Sequence, residues 1–252
     1  MKVPPFMAAV ALCATSVAFS QNLPEPVYAL PGDTGGLFNY FQIEQGVEYG
    51  DSASLAGSSR LVTDASVVVY SNSPRTGVVT FSLYEAVPAD FNFPPDFEVG
   101  QPGVPPGPLA DFKPAVDPIY TSGPKAVFFQ GAGAGGLNLN EVIFSDINTL
   151  VPDDLFWTIK FEQLTGYTDG GLFGPKLENG ADVGPAGATT DASRLYQRST
   201  ARGTGDWIPI WIDSSAPPTS TLSVEINAVP EPAVALLSLI GTLALLRRRR
   251  TA

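Results

Sequence analysis

Apolar and polar side chains alternate with a period of two along many stretches of this chain, which predicts β-strands with one face on a core. The clearest apolar series are Val79, Phe81 and Leu83; Leu155, Trp157, Ile159 and Phe161; and Leu222, Val224 and Ile226. Further strands are predicted over 40–48, 61–70, 126–129, 137–147, 172–177 and 207–212. The interior shows no sustained helical period, so we expect about nine strands in an all-β, antiparallel, jelly-roll-like β-sandwich.

The stretch from Val87 to Pro124 interrupts this pattern. It contains ten of the 24 prolines, and proline cannot donate a hydrogen bond to a strand ladder. We therefore predict an extended surface insertion over 87–124, between two strands. Four phenylalanines would attach it to the sandwich: Phe91, Phe93, Phe97 and Phe112. Both a packed loop without a role of its own and a binding loop remain open interpretations.

The N-terminus has the three parts of a secretory signal peptide. Lys2 provides a positive charge, 7–19 is apolar, and small residues precede Gln21. This order predicts a signal peptide over 1–20, cut by signal peptidase between Ser20 and Gln21. The only cysteine, Cys13, would be removed with it. The mature protein would then leave the cytoplasm without disulfides and depend on its core for stability.

The C-terminal region carries an uncharged apolar run over 233–246. As a helix, these residues would extend about 21 Å, which is short for a hydrocarbon core of about 30 Å. A basic cluster follows the run at once: Arg247, Arg248, Arg249 and Arg250. Such arginines reach membrane headgroups and stay on the cytoplasmic side, whereas beyond a soluble core helix they would have no partners. We therefore predict a single transmembrane helix over 233–246, which Pro230 and Pro232 prevent from extending upstream.

The segment 229–252, with its Pro-Glu-Pro motif, apolar run and arginine cluster in that order, resembles the PEP-CTERM sorting domain. The resemblance implies recognition by an exosortase, a membrane-embedded cysteine protease that processes the protein near the motif during export. Pro230, Glu231 and Pro232 would be the recognition motif, and the four arginines would be the retention signal. Bacteria whose proteins carry this tail make exopolysaccharide or biofilm matrix.

A weaker resemblance concerns the region between the two terminal signals, 21–228. Several stretches are similar to an uncharacterised β-sandwich domain that is found upstream of bacterial sorting tails. They lie at 49–51, 55–57, 81–85, 120–123 and 151–159, within a match from about Tyr40 to Ile212. The proline-rich insertion departs from the compact loop expected there. This resemblance implies a fold for the ectodomain and no activity.

Charge and composition exclude several functions. Of 14 basic residues, removing Lys2 and the four tail arginines leaves nine; of 25 acidic residues, removing Glu231 leaves 24. The ectodomain charge is therefore near −15, which argues against nucleic acid or anionic lipid as partners. The chain has no histidine. Catalysis by Ser-His-Asp or Cys-His groups and histidine-ligated zinc are therefore excluded.

Two tryptophans offer a candidate binding feature. Trp207 and Trp211 share one face of a predicted strand, because side chains at i, i+2 and i+4 align. Ile208, Ile210 and Ile212 occupy the other face and read as core. An outward tryptophan pair at this spacing would stack on sugar rings. Pro209 marks an edge strand, however, and edge tryptophans also pack beneath loops, so both interpretations stay open.

The acidic residues show no pattern that selects a catalytic or metal site. Asp153 and Asp154 are adjacent in a turn after Pro152, so we expect their side chains to point apart and to shape the turn. Calcium is the one metal that we consider, because acidic loops beside glycines suit it. The residues concerned are Asp33, Asp51, Asp169 and Asp182. No twelve-residue calcium loop is present, so the prediction is no cofactor, with calcium binding as the alternative. No catalytic residue is predicted, because no pattern selects a pair of carboxylates.

Taken together, the sequence predicts an exported, non-catalytic protein with a structural or adhesive role at the cell surface or in the extracellular matrix. The precursor would be held in the inner membrane, and exosortase and signal peptidase would be partners during export. Exopolysaccharide is a further partner to test. The alternative is a carbohydrate-binding module or a polysaccharide-active enzyme of the matrix. Exposed, coplanar tryptophans would favour the module, and convergent carboxylates in a groove would favour the enzyme.

Overall fold

The computed structural model describes residues 23–30, 43–88, 112–132, 136–166, 172–179, 184–189, 195–198, 207–210 and 220–230. These residues contain strands and no helix, which confirms the all-β prediction. The strands are β1 (Glu25–Ala29), β2 (Glu48–Ser54), β3 (Leu61–Ser71), β4 (Arg75–Pro88), β5 (Phe112–Pro114), β6 (Tyr120–Thr121), β7 (Lys125–Phe129), β8 (Asn138–Phe144), β9 (Thr149–Leu150), β10 (Asp154–Thr165), β11 (Phe173–Pro175), β12 (Leu177–Asn179), β13 (Leu195–Arg198), β14 (Trp207–Ile210), β15 (Ser220–Leu222) and β16 (Val224–Val229).

The smaller of the two main sheets is built around β3. Strands β16 and β11 pair with one side of β3, β8 and β9 pair with the other, and β1 lies outside β16. All of these pairings are antiparallel. β3 therefore has neighbours along both edges, and its alternate side chains Ala65, Val67 and Val69 are fully buried in the apolar core.

The larger sheet has the order β14-β13-β2-β10-β4, with β5, β6 and β7 pairing along the far edge of β4. Its pairings are antiparallel too. β2 runs close to β10 at Gly50, where a Cβ atom would lie 2.5 Å from both the Trp157 carbonyl oxygen and Thr158 Cγ2. This position therefore requires glycine. Strands β12 and β15 form a separate two-stranded ladder.

The two main sheets share one apolar core. Phe81 of the larger sheet stacks on Phe144 of the smaller one with ring centroids 5.1 Å apart. Phe129 meets Phe173 edge to face at 4.9 Å. Every residue of the three alternating apolar series is buried in this core, so the period-two pattern correctly predicted which residues face inward.

The structure also departs from the predicted strands. Residues 49–54 lie in β2, although the sequence pattern places a strand at 40–48, and neither β1 nor β13 was predicted. β2 carries Glu, Asp and three Ser or Gly residues, so it lacks an apolar series. Within the predicted insertion, 112–114 and 120–121 are strands paired with β4 rather than loop. In the part of the chain that the structure describes, no helix has the length and apolar character to cross a membrane.

The predicted signal peptide, the apolar run 233–246 and the arginine cluster lie outside the described residues. Among the described residues the last strand is β16, which pairs with β1 on one side and with β3 on the other. Its last pair joins Val229 to Leu61. Pro230 follows directly, and the structure describes the chain no further.

Candidate functional site

The outer face of the larger sheet carries a second group of buried side chains. Along β10, Leu155 and Trp157 face the core, so the residues between and after them, Phe156 and Thr158, face outward. These outward residues are nevertheless buried, with 2% and 0% of their surfaces exposed. A cluster on this face comprises Tyr84, Phe156, Tyr196 and Trp207. We call these four side chains the outer aromatic cluster.

The outer aromatic cluster is built from edge-to-face ring contacts. The Tyr84 and Trp207 rings meet with centroids 5.2 Å apart and planes at 81°. Phe156 and Tyr196 meet at 4.8 Å with the same interplanar angle. Edge-to-face contacts at these distances add to the gain from burying the rings. Strands β4, β10, β13 and β14 each contribute one ring, so the cluster holds four strands of the sheet together.

Glu48 lies at the centre of a polar network beside these rings and is only 8% exposed. Its Oε1 accepts hydrogen bonds from Thr158 Oγ1 at 2.5 Å and from the Tyr84 hydroxyl at 2.7 Å. Its Oε2 accepts one from Arg198 Nη2 at 2.9 Å. A buried carboxylate is tolerated only when it is paired and hydrogen-bonded, and this one has three donors. We call Glu48, Thr158, Tyr84 and Arg198 the Glu48 network.

Burial also perturbs the tyrosine of this network. Removal from water raises the pKa of the Tyr84 hydroxyl well above its usual value of about 10, and the neighbouring Glu48 carboxylate raises it further. The Arg198 guanidinium acts in the opposite direction. Tyr84 therefore remains a hydrogen-bond donor to Glu48 over the whole physiological pH range.

The network and the cluster together hold one segment of chain across the outer face. The Tyr196 hydroxyl donates to the Phe112 carbonyl oxygen at 3.1 Å, and Trp207 Nε1 donates to that of Ala115 at 3.1 Å. Arg198 Nη1 donates to the Val116 carbonyl oxygen at 2.9 Å. We call residues 112–116 the strap. The carbonyl groups of Phe112, Ala115 and Val116 are thus satisfied by side chains of β13 and β14, and the strap lies across the Glu48 network.

A pocket of ≈ 320 Å³ opens beside the strap. It is bordered by Ala86, Phe112, Pro152, Asp153 and Asp154. Asp153 Oδ1 accepts a hydrogen bond from Arg60 Nε at 2.6 Å, and Asp154 Oδ1 accepts one from Ser54 Oγ at 2.5 Å. The two carboxylates thus have different partners, as expected for adjacent residues, but both border the same pocket.

Trp207 is 5% exposed. Its ring packs on Tyr84, the Arg198 guanidinium carbon lies 4.8 Å from its ring centroid, and its N–H binds the strap. This environment corresponds to the packing interpretation, because an indole covered on these sides has no face left for a sugar. Trp211 and the side chains of Ile208 and Ile210 lie outside the described residues. A sugar contact by Trp211 therefore stays a prediction.

Asp51 is the only described member of the four loop aspartates considered for calcium. It is fully buried. Its Oδ1 accepts a hydrogen bond from the Ser52 N–H at 2.7 Å, and its Oδ2 accepts one from the Leu222 N–H at 3.2 Å. Asp51 therefore joins β2 to β15. Within the described ranges, no group of three or more acidic, histidine or cysteine residues is placed to hold a metal ion.

The remaining predicted site residues are not described: Ser20, Gln21, Asp33, Asp169, Asp182, Glu231, Pro232 and Arg247 to Arg250. Sequence reasoning missed Glu48 and Arg198, which are 150 residues apart and belong to no motif. It expected the Phe112 side chain to anchor the insertion, whereas the anchor is its carbonyl oxygen and the residue is 52% exposed.

Comparison of the chain with models of protein families, with curated proteins and with solved structures found no match.

Proposed function

We propose that this chain is an exported cell-surface or matrix protein, sorted by a PEP-CTERM-type tail and acting without catalysis as a structural or adhesive component. Its acidic ectodomain would be a jelly-roll-like β-sandwich. The precursor would be held in the inner membrane and processed by an exosortase, and the mature form would reach the cell envelope or matrix. The observation that carries the proposal is the direct junction between β16 and the Pro-Glu-Pro motif.

This junction leaves no linker. β16 is hydrogen-bonded along both edges, and its last pair is Val229 with Leu61. The motif begins with the next residue, Pro230. A protease acting at the motif would therefore release or transfer a folded body whose last strand is already locked. Such an arrangement suits a tail that serves sorting.

The state of the buried carboxylates supports a non-catalytic role for the described part of the chain. General acid–base catalysis needs a carboxylate that can reach the substrate. Glu48 instead accepts hydrogen bonds from three side chains beneath the strap, and Asp51 joins β2 to β15. Both groups therefore stabilise the fold.

The chain provides its own control for the sorting motif. A second Pro-Glu-Pro sequence lies at Pro24, Glu25 and Pro26, at the start of β1. Glu25 there accepts a hydrogen bond from Ser59 Oγ at 2.7 Å. Neither an apolar run nor arginines follow it, so we expect the protease to ignore it. Recognition would require the tripeptide in front of a membrane helix.

The test replaces Pro230, Glu231 and Pro232 with alanine in the producing bacterium. We expect the precursor to accumulate in the inner membrane, as seen by fractionation and intact-mass analysis. The same substitutions at Pro24, Glu25 and Pro26 should leave tail processing unchanged. Normal removal of the tail from the first variant, or recovery of native protein with both ends intact from cytosol, would refute the proposal.

A further inference from the structure

The pocket beside the strap has features of a ligand site that the proposed function does not use. Its volume of ≈ 320 Å³ lies at the lower end of the range of about 300–1,000 Å³ found for small-molecule sites. It lies on the outer face of the larger sheet, next to the outer aromatic cluster. One border is an aromatic ring, Phe112, and another is a carboxylate, Asp154.

Phe112 presents an exposed ring from a fixed backbone. The residue is 52% exposed, although phenylalanine is ordinarily a core residue. Its main chain is paired with Pro88 of β4, and its carbonyl oxygen accepts the Tyr196 hydroxyl. Because the backbone is already ordered, binding a ligand on this ring would cost little conformational entropy.

Asp154 supplies the hydrogen-bonding side of the pocket. It is two residues before Phe156 in β10, so its side chain projects from the same outer face. Ala86, which also lines the pocket, packs against the outer aromatic cluster on that face. Asp154 Oδ1 is held by Ser54 Oγ. Its Oδ2 receives no hydrogen bond from the described residues, so it is available to a ligand donor.

We propose that this pocket binds a neutral saccharide unit. Sugars combine an apolar face of C–H groups with hydroxyl donors at the ring edge. The C–H face would lie on the Phe112 ring, and a hydroxyl group would donate to Asp154 Oδ2 in a charge-assisted hydrogen bond. Pro152 would close the apolar side.

The charge around the pocket selects neutral sugars over acidic ones. The ectodomain carries a charge near −15, from nine basic and 24 acidic residues. Asp153 stands at the rim, with its side chain 80% exposed. The Asp153 charge is offset by Arg60, whose Nε lies 2.6 Å away, so a uronate or sulfated sugar would meet the Asp154 carboxylate and the overall negative potential. The ligand class is therefore the neutral glycan of a matrix or cell wall.

This inference goes beyond the proposed function, since it assigns a ligand site to the ectodomain and does not depend on how the tail is processed. The experiment uses the full-length chain purified in detergent. The probe is an array of neutral oligosaccharides built from glucose, galactose, mannose and N-acetylglucosamine, with uronate-containing oligosaccharides in parallel. We expect binding to one or more neutral probes and none to the acidic probes.

Three variants at the pocket and two control variants identify the site. Phe112→Ala and Asp154→Asn should each weaken binding about tenfold or more, and Phe112→Leu should do so while keeping an apolar side chain in place. The controls are Phe128→Ala, at a phenylalanine of β7 that is 60% exposed, and Glu141→Gln, at an exposed carboxylate of β8 on the other sheet. Both controls should bind as the native chain does.

Thermal unfolding verifies that each variant is folded. If Phe112→Ala is unfolded, Phe112→Leu tests whether the aromatic ring is needed for binding. Absence of binding to any neutral probe would overturn the proposal. So would binding confined to acidic probes, or native binding by Phe112→Leu and Asp154→Asn. A failure here leaves the sorting proposal intact, because tail processing is measured separately.

Discussion

The two faces of the larger sheet bury their side chains in different ways. The inner face carries Phe81, Trp157 and other apolar residues that pack against the smaller sheet. The outer face carries aromatic rings together with Glu48 and Arg198, joined by directed hydrogen bonds and covered by the strap. The inner face thus depends on apolar area removed from water, whereas the outer face depends on the geometry of polar contacts.

This difference explains what each face can contribute. Apolar packing is non-directional and tolerates substitutions that keep volume. A buried ion-pair network is stable only when every member is present. Removing one member leaves the remaining polar groups without a hydrogen-bond partner, because water cannot replace it. The inner core therefore stabilises the fold through apolar burial, while the outer face positions the strap and, with it, the Phe112 ring.

The largest effect is expected from the inner core. Phe81→Ala removes a ring that stacks on Phe144 at 5.1 Å and on Trp157 at 6.3 Å. We expect the free energy of unfolding to fall by about 3–5 kcal/mol, measured by urea denaturation. Phe128→Ala, in which the lost ring is 60% exposed, should change it by less than about 0.5 kcal/mol. Equal losses in the two variants would mean that the sheets do not share the core described here.

The next largest effect should come from the Glu48 network. Glu48→Gln leaves the Arg198 guanidinium, whose side chain is 23% exposed, without its carboxylate, and should cost about 2–3 kcal/mol. Glu162→Gln is the matched control, since Glu162 pairs with Lys160 at 2.8 Å in a half-exposed position and exposed pairs contribute about 0–1 kcal/mol. If both substitutions cost the same in urea denaturation, the network would not be buried as described.

The smallest effect at neutral pH is expected for Tyr84→Phe. It removes one of three donors to Glu48 and should cost about 1 kcal/mol. The substitution should also change how the free energy of unfolding depends on pH. Since burial raises the pKa of Tyr84 in the folded state, the unfolded chain loses this proton above pH about 10 while the folded chain keeps it.

Stability contributed by this group is therefore complete below pH about 10 and declines as the pH rises through the folded pKa. We expect the free energy of unfolding of the native chain to fall above that pH, and Tyr84→Phe to reduce the slope. Urea denaturation of both proteins at several pH values above about 9 measures this pH dependence of the free energy of unfolding. Parallel slopes for the two proteins would show that Tyr84 is not protected by burial.

Much of the inner face could be predicted because the core selects one side of each strand. Phe81, Trp157 and Ile226 all follow the period-two pattern and are buried. β2 and β13 escaped prediction for the converse reason. Glu48 and Gly50 of β2 and Arg198 of β13 are polar or small. Glu48 is buried and Arg198 half-buried, through partners that are distant in sequence.

The candidate sites divide in the same way. The terminal signals are contiguous motifs, so sequence alone predicts them, and they stay predictions because the structure does not describe them. The strap and the pocket bring together Phe112, Asp154 and Tyr196 from separate strands, and no spacing in the chain indicates that meeting. The orientation of Trp207 likewise depended on whether a segment covers the outer face.

Sequence by itself thus determined the all-β class, the residues that face the common core, and the prediction of an exported, tail-sorted chain. Local periodicity and contiguous motifs carry that information, because the physical constraint acts on neighbouring residues. Tertiary structure alone decided which polar residues are buried, what covers the outer face and where the pocket opens. Those outcomes depend on hydrogen bonds between residues as far apart as Glu48 and Arg198, and only the folded chain brings them within reach.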